Sequence, residues 1–334
     1  MDNVTTVGID LAKSVFSLHG VDGAGKVVLR RTVSRAKFVE LVARLPPCLV
    51  AMEACGGAHE WGRRFVQFGH EVRLIAPRFV TPYRKSGKND GNDAEAICEA
   101  ALRPNMRFVA IKTLEQQSQL TLHRVRMGFV EERIATINRL RGSLTEFGHV
   151  IPLRPIEVRR QAPAMIEQLP ALAARSASGL LEHIRLLEER IREYEREIEN
   201  HARTDVLAQR AQQRAGIGPI TASAIVTTMG DPAAFKNGRQ FAAWLGLVPR
   251  QFSTGGKPRL GRITKRGDTY LRRLLVMGAR SVLLHAPQRK DPLSRWALAL
   301  HERRGYHRAC IAIAAKNARV VWAVLARPAV PAAA

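Results

Sequence analysis

The chain has 334 residues, with 53 Lys and Arg against 29 Asp and Glu, for a formal net charge of +24. Hydrophobic residues make up 46%, which excludes a wholly disordered chain and leaves room for two domains with real cores. The positive excess favours a polyanionic partner, DNA or RNA, held through its phosphates.

The first ~110 residues alternate strand and helix signals. Thr6-Val7-Gly8-Ile9-Asp10 and Val15-Phe16-Ser17-Leu18-His19 read as strands, and a turn at Asp22-Gly23-Ala24-Gly25 leads to a third beginning Val27-Val28-Leu29. A helix through Phe38, Leu41, Val42 and Leu45 closes at Pro46-Pro47. Leu49-Val50-Ala51-Met52 is a buried strand running into Glu53. A helix near 61–68 and a strand at 72–75 follow. Three antiparallel strands followed by βαβ units is the order of a ribonuclease H-like α/β domain, although periodicity alone supports only "α/β".

Helix dominates from about Leu114. Leu122, Val125, Phe129, Ile134, Ile137, Leu140 and Leu144 form an apolar stripe, and Pro152, Pro155 and Pro163 break it at an expected linker or hairpin turn. Leu180, Ile184, Leu187, Ile191, Tyr194 and Ile198 then recur at coiled-coil spacing. That stripe can pair within one subunit or form a dimer. A mainly α C-terminal domain follows, with apolar segments at 241–247, 271–285, 296–300 and 309–325. The expected division is 1–112, 113–205 (helical, coiled-coil), 206–326, and a flexible tail at 327–334. Cys48, Cys55, Cys98 and Cys310 form no CxxC pair, which argues against zinc and against a disulfide framework; Cys48 and Cys98 read as small core residues. The N-terminus lacks a signal-peptide pattern and no run reaches ~18 apolar residues, so the expectation is a cytoplasmic protein of a bacterial type of cell, associated with the nucleoid.

Four carboxylates carry the most chemistry. Asp10 ends a strand, where a side chain commonly faces a site; the plainer reading is a turn-forming Asp. Glu53 also ends an apolar strand, beside Gly56-Gly57, and reads otherwise as a surface Glu. Asp90 and Asp93 open a helix in Lys88-Asn89-Asp90-Gly91-Asn92-Asp93-Ala94. They share a face at i, i+3, although Asp90 as an N-cap and Asp93 in a favourable helix dipole would also account for them. Together the four suit hard divalent ions such as Mg²⁺, two of which commonly serve phosphoryl transfer.

The basic residues cluster. From position 249 to 273 there are eight Lys or Arg against one acid, Asp268, and Arg250, Lys257, Arg259, Arg262, Lys265 and Arg266 are candidate phosphate clamps. Within that cluster Phe252-Ser253-Thr254-Gly255-Gly256-Lys257 presents two hydroxyls before two glycines. Residue type alone favours a phosphate-contacting turn over a covalent role. Gly216-Ile217-Gly218 is either a structural turn or a backbone contact to phosphate; it is not a dinucleotide fingerprint.

In combination, Gly8-Ile9-Asp10, Met52-Glu53-Ala54, the Lys88-to-Ala94 block, Gly216-Ile217-Gly218, Phe241-Ala242-Ala243-Trp244-Leu245-Gly246-Leu247-Val248-Pro249-Arg250, Ser253-Thr254-Gly255-Gly256-Lys257 and Arg262-Ile263-Thr264-Lys265-Arg266-Gly267 resemble the DEDD transposases of insertion-sequence family 110, which include the Piv invertases. The resemblance spans nearly the whole chain. It implies a RuvC-like, ribonuclease H-fold domain followed by a helical transposase domain, with Asp10, Glu53, Asp90 and Asp93 binding Mg²⁺. It also implies a serine nucleophile in the C-terminal loop that forms a phosphoserine link to DNA, a composite site across subunits of a homo-oligomer, and a structured bridge RNA pairing with target and donor DNA. Family members often carry two serines where this chain has Ser253-Thr254. An ungapped comparison puts Thr254 at the nucleophile position and a one-residue shift puts Ser253 there; the less hindered primary hydroxyl favours Ser253. The rival readings are a RuvC-like junction nuclease using water, a sugar kinase or ATPase of related fold, and a nucleic-acid-binding protein without activity.

Overall fold

The computed structural model describes residues 3–85 and 89–327, so Lys88 of the acidic block and the expected tail from position 328 onward lie outside the described residues. The chain divides into two compact units, Met1–Thr113 and Leu114–Ala334.

In the first unit, β1 (Thr6–Leu11), β2 (Val15–Val21) and β3 (Val27–Ser34) pair antiparallel in sequence. The tight turn between β2 and β3 is built by Asp22, whose carboxylate accepts from the backbone N–H of Ala24 and of Lys26, both at 2.9 Å. Helix α1 (Arg35–Ala43) leads to β4 (Leu49–Glu53), α2 (Ala58–Gln67) to β5 (Glu71–Ile75), and α3 (Pro77–Val80) and α4 (Asp90–Ala101) to the short β6 (Phe108–Val109). β4 pairs parallel to β1 and to β5, while β6 returns antiparallel on β5, giving the order β3-β2-β1-β4-β5-β6.

Each sheet face has its own core, because successive strand residues point to opposite sides. Val7, Ile9, Phe16, Leu18, Val50, Met52 and Leu74 meet Phe38 of α1 and Trp61 and Phe65 of α2. Phe16 and Phe38 stack there with centroids 4.1 Å apart, and Trp61 packs edge-on to Phe38 at 4.9 Å. The opposite face packs Ala51 and Ile75 against Val80 and the small-residue face of α4: Ala96, Ile97, Ala100 and Ala101. Cys48 and Cys98 are buried in these surroundings.

The second unit is helical apart from one hairpin. Helices α5 (Leu114–Thr145) and α7 (Ala171–Thr204) pack on each other, and α6 (Pro155–Ile166) joins them. The α7 stripe turns inward, with Ile184, Leu187, Ile191 and Ile198 buried. Tyr194 is half-buried and meets Phe129 of α5 edge-on at 5.5 Å. Two expectations need correction here. Ile134 is 43% exposed, and buried positions on α5 include the polar His123 and Thr136. Pro163 does not break α6 but sits inside it, because Val158, Ala162 and Ile166 pack on the same core and offset one lost backbone hydrogen bond.

Helices α8 (Val206–Gln212), α9 (Pro219–Met229) and α10 (Gly238–Trp244), the hairpin β7 (Pro249–Gln251) and β8 (Leu260–Ile263), then α11 (Thr269–His285), α12 (Pro292–Arg304) and α13 (Tyr306–Ala326) complete the unit. By length and composition α13 is long and apolar enough to cross a membrane. Its Ala309, Ile313, Ala314, Ala318, Val321 and Leu325 are instead buried in the core shared with α9 and α11.

A buried polar chain crosses this unit. His123 of α5 lies 3.0 Å from the Tyr270 hydroxyl of α11 and 3.0 Å from the Ser223 hydroxyl of α9, which in turn lies 2.9 Å from His201 of α7. Burial pushes the His123 imidazole down to about 4, with the Arg126 and His201 charges adding to it.

Candidate active site

β1 and β4 are paired parallel through Ile9↔Met52, and continuing that register by one residue sets Asp10 beside Glu53 at the carboxyl ends of two central strands. Ile9 and Met52 are fully buried, so the alternation that locks them into the core turns the two carboxylates to the opposite face. Both acids are half-exposed. Their charge is felt by the neighbouring Cys55: burial pushes its thiol up, and Glu53 and then Asp10 push it further.

Gly8 explains why α4 arrives at this place. A Cβ on Gly8 would lie 2.5 Å from the Cys98 N and 2.8 Å from the Cys98 Cβ, and would also strike the Ala94 carbonyl. Only a residue without a side chain lets the helix lie directly on β1. Cys98 sits above Thr6 at the other end of this contact, so α4 runs antiparallel to β1 and its first turn comes toward the Asp10 end. Asp90 and Asp93 occupy that turn. The cap is Asn89 rather than Asp90: its side chain accepts from Asn92 N–H at 2.8 Å, which corrects the N-cap reading of Asp90 and leaves that carboxylate exposed. Asp93 is buried at 6% exposure and forms an ion pair with Arg84.

All four side chains offer hard oxygen donors, the chemistry a divalent ion such as Mg²⁺ takes. The paired Asp10 and Glu53 fit that role directly; Asp93 fits once Arg84 turns aside. Among the described residues, no three His, Cys, Asp or Glu side chains are drawn together as a closed metal centre. Two neighbours of the acids were not placed beside them from sequence: Arg84, whose signal was its place in the basic run before Asp90, and Cys55, two residues past Glu53, noted there only as an unpaired cysteine.

The hydroxyl pair stands on the β7–β8 hairpin. Gly255 and Gly256 both take positive φ, 54° and 74°, and the Lys257 N–H donates to the Thr254 carbonyl at 3.1 Å, closing a two-glycine hairpin turn. Ser253 Oγ accepts from Gln251 Nε2 at 2.9 Å and from the Arg259 backbone N–H at 3.2 Å. Gln251 lies two residues before Ser253, the spacing that shares a strand face, and sequence reasoning passed over it. Thr254 lies at the turn and is exposed.

Arg250, Lys257, Arg259, Arg262, Lys265 and Arg266 are all exposed, and among the described residues none of them has an ion-pair partner. The segment after the hairpin is held by close crossing: a Cβ on Gly246 would lie 2.8 Å from the Lys265 carbonyl carbon, and one on Gly267 would collide with the Trp244 carbonyl. Arg272 staples the crossing by donating to the Leu245 and Arg266 carbonyls at 3.0 and 3.2 Å. Gly216 also has a packing role, since its Cβ would lie 2.7 Å from Val282 and 2.8 Å from the Gly278 carbonyl of α11.

Comparison with known proteins agrees in both halves of the chain. A DEDD-type transposase family model of insertion sequence 110 matches residues 7–149, and that of the "Transposase IS116/IS110/IS902 family" matches residues 208–294. The chain is 50% identical to the "Probable family 20 transposase" of Pseudomonas aeruginosa, over 97% of this chain and 98% of the relative. It is 44% identical to the transposase for insertion sequence element IS1328 of Yersinia enterocolitica, over 97% of each. It is 43% identical to the transposase for element IS1111A of Coxiella burnetii, over 98% of this chain and 91% of the relative.

Proposed function

Because this chain belongs to the IS116/IS110/IS902 transposase family, and so is an insertion-sequence transposase that cuts and transfers DNA strands, we propose that it does so with two functional groups, one in each unit. Membership in a DEDD family implies use of divalent metal. Asp10, Glu53, Asp90 and Asp93 would hold Mg²⁺, two ions in our reading, and the ions would supply charge neutralisation at the scissile phosphate. The observation that carries this reading is the Asp10–Glu53 pair at the ends of adjacent parallel strands, with the first turn of α4 brought toward it by Gly8. The strand order β3-β2-β1-β4-β5 supports a ribonuclease H-like, RuvC-like sheet, and the α5–α7 packing supports a coiled-coil middle region.

Ser253 is the nucleophile in this reading. Its Oγ forms the new bond to phosphorus while the bond from phosphorus to a deoxyribose oxygen breaks; the hydroxyl proton is lost, and the freed sugar oxygen takes up a proton. Two N–H donors already point at Ser253 Oγ, and donors of this kind stabilise a developing alkoxide. Arg250, Lys257, Arg259, Arg262, Lys265 and Arg266 clamp phosphates around it. A bridge RNA would select target and donor DNA by base pairing, in a homo-oligomer acting at the nucleoid in the bacterial cytoplasm.

The test incubates the full chain with Mg²⁺, DNA carrying an element end and the RNA flanking the element, then denatures the mixture. We expect a denaturation-resistant protein–DNA adduct, lost in Asp10→Ala and in Ser253→Ala. Loss in Thr254→Ala alone would move the nucleophile by one residue. Cleavage with free ends and no adduct would overturn the covalent step in favour of hydrolysis.

A further inference from the structure

A second basic feature lies away from the hairpin, between α10 and α13. A groove of about 340 Å³ there is lined by Asn237, Gly238, Arg239, Arg319, Trp322 and Ala323. That volume is at the lower end of the roughly 300–1,000 Å³ found for small-ligand clefts. The groove exists because Gly238 has no side chain: a Cβ there would lie 2.7 Å from the Arg319 carbonyl oxygen and 2.9 Å from its Cα, so α10 closes down on α13. The Trp322 ring is fixed, since its Nε1–H donates to the Pro232 carbonyl at 3.0 Å and its other side packs on the core.

Charge decides what fits. Arg239 and Arg319 are exposed, and among the described residues neither has an ion-pair partner. Helix α13 carries Arg308, Lys316 and Arg319 and no acid. The acid nearest in sequence to Arg239, Asp231, is turned to its own backbone, accepting from Ala233 N–H at 2.8 Å. The groove's lining is mostly apolar and includes Trp322, and the exposed Arg239 and Arg319 also line it; together they suit a flat aromatic ring joined to an anion. Stacking on the ring and charge-assisted bonds to phosphate supply the two halves.

We propose that this groove binds one unpaired nucleotide of a single strand, its base against Trp322 and its phosphate on Arg239 and Arg319. The inference rests on the reading of the protein as a nucleic-acid enzyme. A paired base keeps its face stacked on neighbours, so the groove discriminates for strand segments that are melted or looped out. The unpaired nucleotide can come from DNA or from RNA, which share this chemistry.

The experiment titrates the full chain with three fluorescein-labelled probes: an oligothymidylate and an oligouridylate of roughly twelve nucleotides, and a duplex of the same length. The double variant Arg239→Gln/Arg319→Gln is expected to weaken one or both single-stranded probes by about tenfold while duplex binding changes less than about twofold. The strand that weakens identifies the source. Quenching of tryptophan fluorescence by that strand is expected to fall in Trp322→Phe. Because Trp322 also packs on the core, the exposed arginine pair keeps the test valid if that variant fails to fold. Single-strand affinity unchanged in the double variant, with duplex binding intact, would overturn the groove alone. An acidic peptide that depends on the arginine pair when the single strands do not would overturn it in favour of a protein partner. Failure of the wild type to bind any of the three probes would overturn the nucleic-acid reading together with the groove.

Discussion

Asp10 and Glu53 stand at the ends of two central strands whose flanking residues, Ile9 and Met52, are fully buried, whereas Ser253 stands on a hairpin of three- and four-residue strands whose β7 positions are all exposed. The acids inherit their placement from a six-stranded sheet packed on both faces. The hydroxyl inherits its placement from two hydrogen bonds and a two-glycine turn. The proposed cation ligands would need fixed oxygens, which a packed sheet supplies. If Ser253 is the nucleophile, as proposed, a light, solvated element would let it settle onto a phosphate of a long polymer. Charge follows the same division, with carboxylates on the rigid part and unpaired cations on the light one.

The contrast breaks most sharply at the proposed nucleophile, Ser253. Ser253→Ala should lower strand transfer by at least about 10⁴-fold while leaving the melting temperature unchanged, because no core contact is lost. Single-turnover assays with end-containing DNA measure it, and a drop in melting temperature of several degrees would mean the hairpin is less independent than its exposure indicates. Asp10→Asn comes next, with a loss of about 10³-fold at an Mg²⁺ concentration that just saturates the wild type, since it removes one anionic oxygen ligand and keeps the shape. Rescue of Asp10→Asn by raised Mg²⁺ would sharpen the assignment of that residue to metal binding.

Gly8→Val tests whether the sheet sets the acids. Its side chain would meet α4 backbone, and we expect destabilisation of upward of about 3 kcal/mol in chemical denaturation. A stable Gly8→Val protein with full activity would separate α4 placement from catalysis. His123 gives an effect of similar or smaller size in the other unit. Unfolded imidazole titrates near 6.5 and the buried one near 4, so the unfolded chain binds more protons between those values. Stability is therefore full above about pH 6.5 and is lost as pH falls toward 4, by up to roughly 3 kcal/mol; His123→Gln should flatten that slope. The smallest effect is expected at the proposed phosphate clamps. Arg262→Gln with Lys265→Gln should weaken DNA binding about tenfold and reduce the salt slope by about two. An unchanged slope would remove these two residues from the phosphate contacts.

The strands β1 to β5 and the helices α1, α2 and α4 of the first unit were legible because its apolar runs alternate with turn residues, whereas the short α3 and β6 were not; the apolar segments after position 240 marked α10, α11, α12 and α13 for the same reason. The β7–β8 hairpin was not legible: its strands bury nothing, so no alternation announces them. The burial of His123 was hidden too, because a polar residue enters a core only when partners such as Tyr270 and Ser223, distant in sequence, complete its hydrogen bonds.

For the chemistry, the sequence by itself determined the donor types: four carboxylates, two adjacent hydroxyls and a run of cations, each set by covalent structure and charge. It also determined that Gly8 precedes Asp10 at the two-residue spacing that shares a strand face. Only the tertiary structure decided that Asp10 stands beside Glu53, that Arg84 pairs with Asp93, and that Gln251 and the Arg259 N–H point at Ser253. Those outcomes depend on strand register and on which backbones can approach within a few ångströms, and long-range packing alone selects them.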